Sequence, residues 1–483
     1  MNLFRIAFVL LSIISPICAC AQKVSRVSIT IYFDVQREVN DSLLVMKYQE
    51  YISSQYRQTT IKNGPIERNL YKIVITDVGL NTRIGIASGT FGELLPLTFI
   101  QKGDSIVLTI RAGINGVNTH FTGNSAERFE LIQSTGFGKY ETLQSIDKLS
   151  VHPLRMVQFA DSLLRTYQVT VDAMRTTPTD TKSLIKAEFT GWVYTRCLAM
   201  LLHFDHIKKS DQAEIPRALK RIEDGSRFDE SIIVRSGYYT EFLYEQTKLK
   251  ILLDFSDGNI RRRSSPSFRT LYETLKDTHT GDVRDKLLAY CIADPKDVST
   301  TFDGVDPDEF LDIIKDAKRV VKSKRYREAV DFRLKTSGKG SRAFDFSFFD
   351  KTGNVVRLKN FRGKIVLLDV WANPCDACRE FKKMFEREVL PFVKDNPNFV
   401  VVSVSLNLTR DTWLKSIKTY SDERYVNLHA GGESIDHPLV KYYNFVGVPF
   451  LLLIDGNGKI VSGTLPVTAN GNALRELIMK AAE

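Results

Sequence analysis

The chain has 483 residues, more than one hydrophobic core usually organises, so about two to four domains are expected. Its composition, 43% hydrophobic and 26% charged, excludes global disorder and a polytopic membrane protein. The formal charge of +10 reads as solubility, because Lys and Arg are interleaved with acids; the densest cluster, Arg261-Arg262-Arg263, has no interleaved aromatics and excludes a nucleic-acid platform.

At the N-terminus, Arg5 precedes an apolar run from Ile6 to Ile14, too short to span a bilayer but suited to the h-region of a signal peptide. Residues 1–21 are therefore expected to direct export. Ala19-Cys20-Ala21 offers a cleavage site before Gln22, and Ile17-Cys18-Ala19-Cys20 offers a lipobox in which Cys20 would carry a lipid anchor. Simple cleavage is the preferred reading, since Cys is atypical at the second position of that box. Either route leads to the periplasm or cell envelope.

Residues 22–124 alternate apolar and polar side chains, which predicts strands over Val27–Val35, Leu43–Tyr48, Tyr71–Ile75, Leu94–Ile100, Ser105–Ile110 and His120–Thr122, with turns at Asn63-Gly64-Pro65, Gly103-Asp104 and Asn115-Gly116. An antiparallel β-sandwich is expected. From 125 to 336 the period becomes helical, over Ala126–Gln133, Leu154–Tyr167, Lys182–Phe204, Ser236–Phe255, Phe268–Asp277 and Pro307–Lys324. His203 and His206 share a helix face there but lack a third ligand, so no metal is expected. Cys197 and Cys291 read as buried apolar residues.

Residues 337–343, opening with Ser337-Gly338-Lys339-Gly340-Ser341, read as a flexible linker. Strands and helices alternate over 344–483, which calls for a central sheet covered on both faces. A hairpin is predicted over Phe346–Leu358, strands over Ile365–Val370, Phe399–Ser405, Phe450–Ile454 and Lys459–Ser462, and helices over Asp376–Val393, from Thr412, and over Ala473–Ala482.

The run Asp369-Val370-Trp371-Ala372-Asn373-Pro374-Cys375-Asp376-Ala377-Cys378 puts a C-x-x-C where an apolar strand meets a helix. The first cysteine falls at the helix N-terminus, where unpaired N–H groups and the macrodipole stabilise a thiolate; the second lies one turn inside, close enough to attack a mixed disulfide. Cys375 is the expected nucleophile and Cys378 the resolving thiol. Pro374 favours a sharp strand-to-helix turn. Zinc is disfavoured, since no second Cys or His pair stands at ligand spacing, His429 and His437 included.

This segment resembles the active site of the thioredoxin family, and more closely the TlpA-like exported thiol–disulfide oxidoreductases. The match comprises Asp369 six residues before Cys375, Trp371-Ala372, Gly447-Val448-Pro449-Phe450, and the hairpin Ile454-Asp455-Gly456-Asn457-Gly458-Lys459-Ile460. The resemblance implies a thioredoxin fold over 344–483 and makes Asp369 the carboxylate that exchanges the resolving cysteine's proton. It makes Pro449 a cis-proline facing the cysteines, with Trp371, Pro374, Val448 and Pro449 lining the substrate site. Pro374 stands where the family often has a second tryptophan, and Phe381 where many members have a glutamate, so Glu380 receives no catalytic role. In architecture the preceding halves resemble the long TlpA-like proteins of Bacteroidetes.

The expected activity is reduction of disulfides in exported proteins, with electrons from a membrane donor and no cofactor. An acid, Asp376, beside Cys375 argues for reduction over oxidation. The rival readings are an envelope scaffold that uses the fold for docking and a peroxiredoxin-like peroxidase. The latter would need Thr or Ser where Ala372 stands.

Overall fold

The computed structural model describes residues 26–36, 38–48, 58–80, 82–113, 116–138, 140–202, 207–225, 227–254, 267–293, 306–443, 445, 447–463 and 471–481. The expected signal segment with Cys20, the pair His203 and His206, and the cluster Arg261–Arg263 lie outside these residues.

The N-terminal region contains strands β1 (Val27–Asp34), β2 (Leu43–Tyr48), β3 (Gln58–Asn63), β4 (Leu70–Ile75), β5 (Arg83–Ser88), β6 (Gly92–Phe99), β7 (Ser105–Gly113) and β8 (Gly116–Gly123). They form two four-stranded sheets, ordered β4-β1-β7-β8 and β3-β2-β5-β6. The period-2 pattern of β1 turns Val27, Ile29, Ile31 and Phe33 inward, where they share one core with Val45, Ile84, Ile86, Leu108 and Ile110 from both sheets. One pairing corrects the antiparallel expectation: β1 runs parallel to β7, with Ser28–Asp34 beside Ser105–Arg111. Between β1 and β7 the chain passes through the second sheet and through β4 on the other side of β1, which supplies the long crossover a parallel pair needs. Two strands escaped the pattern. β3 is a polar edge strand, and β5 opens on the buried Arg83 and carries Gly85, where a Cβ would lie 3.2 Å from the Met46 methyl.

The middle region is helical: α1 (Ala126–Thr135), α2 (Tyr140–Lys148), α3 (Pro153–Asp172), α4 (Thr179–Leu202), α5 (Ile215–Asp224), α6 (Gly237–Asp254), α7 (Phe268–Thr278), α8 (Gly281–Ala293), α9 (Pro307–Val320) and α10 (Lys324–Ser337). Helices α3 to α6 surround one core and α7 to α10 a second. Where α4 crosses α6, only glycine fits at 191, since a Cβ there would come within 2.3 Å of the Tyr238 backbone. At α9, Asp306 caps the start by accepting from the N–H groups of Asp308 and Glu309 at 2.8 and 3.2 Å. Arg83 of β5 joins the two regions through a buried ion pair with Glu188 of α4, whose other oxygen accepts from Ser236 Oγ at 2.6 Å and Gly237 N at 2.9 Å.

The C-terminal region holds one seven-stranded sheet, β10-β9-β13-β12-β11-β14-β15. Its strands are β9 (Ser347–Phe349), β10 (Val355–Arg357), β11 (Ile365–Trp371), β12 (Phe399–Ser405), β13 (Val426–His429), β14 (Phe450–Ile454) and β15 (Ile460–Ser462). Helices α11 (Asp376–Met384), α12 (Arg410–Tyr420), α13 (Pro438–Tyr443) and α14 (Gly471–Ala481) accompany it. Every residue of β11 is buried, because separate apolar cores cover the two faces of the sheet. Beyond α11 the chain passes through a π-helical turn, Phe385–Val389, into Leu390–Val393.

The segment expected as a flexible linker is hydrogen-bonded. α10 runs to Ser337, Gly340 N and Ala343 N donate to the carbonyls of Ile460 and Gly458 at 2.8 and 3.0 Å, and Ile460 N donates back to Ser341 at 2.8 Å. Lys339 also pairs with Asp308 of α9 at 2.6 Å. The backbone of this polar run, not its composition, ties it to the β14–β15 hairpin.

Candidate active site

β11 delivers the chain to the site. It ends at Trp371, and Ala372-Asn373-Pro374 turn into α11 through a cis Asn373–Pro374 peptide, the isomer that the sequence reading left unspecified. Cys375 is the N-cap of α11, in extended conformation (φ −154°, ψ 103°), and is joined to Cys378 in a disulfide with Cα atoms 5.4 Å apart. The Cys378 N–H points at Cys375 Sγ from 3.0 Å, so an orphan donor of the first turn serves this sulfur. Cys375 is 9% exposed and Cys378 2%, which leaves Cys375 the sulfur that a partner can reach.

Val448 and Pro449 approach from the loop before β14. Their peptide is cis, the Val448 carbonyl lies 3.6 Å from Cys375 Sγ, and both residues are half-buried beside the exposed Gly447. Pro374 is exposed at the mouth of the site. Trp371 is placed differently from the expected substrate contact. It is fully buried, it donates from Nε1 to Ser403 Oγ at 2.8 Å, and it stacks on Tyr420 at 5.3 Å. It forms the floor under the disulfide together with Trp413, Ile417 and Tyr420.

Asp369 lies on β11 between Ser403 of β12 and Leu451 of β14, 5% exposed. Burial alone pushes its carboxyl up to about 7. A carboxyl poised there exchanges protons near neutral pH. Asp376, in contrast, has a side chain 86% exposed and pairs with Arg379. Its charge is offset by that partner and screened by solvent, so the argument from Asp376 for a reducing direction loses its force.

A polar network behind the Cys375 loop escaped the sequence reading. Asn373 N donates to Asn407 Oδ1 at 2.8 Å, Asn373 Nδ2 donates to Ser416 Oγ at 3.1 Å, and Tyr420 OH donates to Asn373 Oδ1 at 3.0 Å. His429 Nε2 lies 2.8 Å from the Asn407 carbonyl, and its ring stacks on Trp413 at 5.2 Å. These residues come from β13, α12 and the loop after β12. The available signal was the polar spacing of Ser416 and Tyr420 on one helix face of α12.

Away from this site, Cys197 and Cys291 are buried cysteines outside any disulfide, and burial pushes the Cys197 thiol far up. No cluster of three or more His, Cys, Asp or Glu side chains that would hold a metal occurs among the described residues, and no described helix is long and apolar enough to cross a membrane.

A parallel sheet core covered on both faces, with a helix N-capping disulfide at the end of its central strand, defines a dithiol–disulfide protein of the thioredoxin class. Residues 363–460 match the family described as thioredoxin-like, and the C-terminal region is a thioredoxin-like domain, as the resemblance to TlpA-like proteins implies. Similar curated proteins are the thiol-disulfide oxidoreductases ResA of Bacillus thuringiensis and Bacillus cereus, each 28% identical over 122 residues, 25% of this chain. The chain spans 66% of the length of these relatives. Among solved structures, the thioredoxin domain of a thiol-disulfide oxidoreductase from Bacteroides vulgatus is 28% identical, with 30% of this chain and 98% of that chain covered and a TM-score of 0.26. A thiol:disulfide interchange protein from Bacteroides sp. is 28% identical, covering 29% of this chain and 90% of that one, with a TM-score of 0.25. The protein as a whole is multidomain, with N-terminal strands, a helical middle and this C-terminal domain.

Proposed function

We propose that the protein is an exported thiol–disulfide oxidoreductase of the cell envelope that reduces disulfides in other exported proteins, with Cys375 and Cys378 as its dithiol. The observation that carries this reading is the Cys375–Cys378 disulfide at the N-terminus of α11, with the Cys378 N–H aimed at Cys375 Sγ and a buried acid, Asp369, in the strand that delivers it. The names of the Bacillus relatives support the same class of reaction.

In the reduced protein, the Cys375 thiolate attacks one sulfur of the partner's disulfide. An S–S bond forms between Cys375 and the partner, and the partner's other sulfur leaves as a thiolate. The Cys378 thiol then gives its proton to the Asp369 carboxylate and attacks Cys375 Sγ. The Cys375–Cys378 disulfide forms, the mixed disulfide breaks, and the partner departs with both sulfurs reduced by two electrons. A dithiol donor at the membrane, reacting by the reverse sequence, restores the reduced protein. Val448, Pro449 and Pro374 border the approach to Cys375, and no cofactor enters the cycle.

Cleavage before Gln22, or acylation of Cys20, would place the protein outside the cytoplasm, and the two N-terminal sheets are read as a β-sandwich sharing one core. The experiment is turnover of insulin disulfides by the reduced protein. Cys375→Ala should abolish it and Cys378→Ala should accumulate mixed disulfides; normal turnover by either variant would refute the assignment. A midpoint potential near about −270 mV supports the reducing direction, and one near about −120 mV would reverse it.

A further inference from the structure

Asp369 takes a proton from Cys378 in every cycle and must give it up again, yet its carboxyl is buried and burial is the only influence that shifts it. Forming a carboxylate in such a place is costly unless a donor meets it.

Asp369, Ser403 and Asn427 form one row across β11, β12 and β13. Leu367, Val401 and Tyr425 stand two residues before them and share the same face of the sheet. They accordingly pack in one core, in which Phe385 meets the Tyr425 ring edge-on at 6.1 Å. Phe385 opens the π-helical turn that follows the active-site helix α11, a departure from α-helix that is frequent at functional sites. The Tyr425 hydroxyl is buried and has no hydrogen-bond partner among the described residues. A buried donor without an acceptor is rare in a native fold and calls for an explanation.

The charges around that hydroxyl supply one. Burial holds Tyr425 protonated, and the charges of Glu386, Asp422 and Asp369 do so further against the opposing pull of Arg424, so the group stays a donor. Two of the three acids already have cations at the surface. Glu386 lies 3.8 Å from Lys382, and Asp422 accepts from Arg424 Nε at 2.7 Å and Nη2 at 2.9 Å. Asp369 is the carboxyl of the three that burial leaves uncompensated.

We propose that Tyr425 is a positioning residue for proton exchange at Asp369, its hydroxyl donating to the Asp369 carboxylate whenever that group is ionised. This rests on the oxidoreductase reading above. While Asp369 holds its proton the donor is spare; once ionised, the carboxylate is the acceptor that the hydroxyl lacks, and a hydrogen bond to a charged group is a strong one. The carboxylate is thereby held ready for the Cys378 proton, and the hydroxyl is released when that proton arrives.

The test is the pH midpoint of Asp369 ionisation in the oxidised full-length protein, isolated as the infrared carbonyl band that Asp369→Asn removes. Tyr425→Phe keeps the ring against Phe385 and deletes only the hydroxyl. It should raise the midpoint by about one pH unit, the size that one hydrogen bond to a charged group carries. Tyr272→Phe, which deletes a hydroxyl bonded to Asp316 in the helical region, should leave the midpoint in place. A midpoint unmoved or lowered in Tyr425→Phe, whatever its stability, would overturn the proposal, as would an equal rise in Tyr272→Phe. The midpoint is read without turnover, so it holds or fails separately from the Cys375→Ala assay, which tests the underlying activity.

Discussion

Both halves of this molecule bury charge, and they treat it in opposite ways. In the N-terminal and helical regions the buried charges of the described residues meet partners. Arg83 pairs with Glu188, and Arg128 with Asp104, while Lys286 donates to the carbonyls of Val234 and Ser236 at 2.8 Å each. The carboxylate of Asp285 accepts from the N–H groups of Lys322 and Ser323 at 2.6 and 2.8 Å. In the C-terminal domain Asp369 is as deeply buried, yet burial is the only influence that shifts its carboxyl. A compensated buried charge fastens elements together, whereas an uncompensated one stores a proton at neutral pH.

The comparison is broken most forcefully at Glu188. Glu188→Ala takes the buried carboxylate from Arg83, Ser236 and Gly237, and should cost about 3–5 kcal/mol in urea unfolding followed by ellipticity. The midpoint potential of the dithiol should not move. A shifted potential would show that the N-terminal half shares in the chemistry.

Asp369 should respond in the opposite sense. Its carboxyl is raised from 3.8 to about 7 in the folded protein, so the unfolded chain loses its proton first and stability falls as pH rises through that window. Asp369→Asn removes the penalty. The variant should match the wild type below about pH 4 and exceed it by up to roughly 4 kcal/mol above pH 7, taking 1.36 kcal/mol per pKa unit. Turnover should fall by roughly 10²-fold, as for loss of a general base, and should lose the rise through pH 7 that ionisation of Asp369 gives the wild type. Equal stability of the two proteins at pH 8 would contradict the burial of an uncompensated acid.

The same contrast explains what the sequence made legible. Cys375, Cys378, Asp369 and Pro449 were readable because thiol chemistry ties their positions to one strand–helix junction and one strand start, so local spacing carries the signal. Asn407, Ser416, Tyr420 and His429 were not, because each is a single polar residue that meets Asn373 or Asn407 only after the sheet and α12 have folded. Arg83 hid its strand for a related reason: a cation and Gly85 inside an apolar stretch read as a loop until Glu188 is in view. The parallel pairing of β1 with β7 depends on a long connection through β4 and the second sheet, which alternation within a strand does not encode. The polar run at 338–343 reads as a linker because composition says nothing of where backbone hydrogen bonds go.

Smaller effects sharpen the contrast. Tyr420→Phe removes one hydrogen bond to Asn373 and should cost about 0.5–1.5 kcal/mol by urea unfolding, with the thiol pKa of reduced Cys375 displaced, because that loop loses a clamp. Loss of stability with an unmoved Cys375 pKa would make the network purely structural. Smallest of all, Asp34→Asn breaks the pair with Arg111, whose side chains are 47% and 68% exposed, and should change stability by no more than about 0.5 kcal/mol.

The central claim is that redox chemistry belongs to one pair of cysteines. It is tested most directly by equilibrating the purified protein in redox buffers, alkylating its thiols and reading each cysteine by mass. The account predicts that Cys375 and Cys378 titrate together in a single two-electron transition, with a slope of about 29.6 mV per decade, while Cys197 and Cys291 stay constant. A transition that tracks Cys197 or Cys291, or none at Cys375 and Cys378, would contradict it.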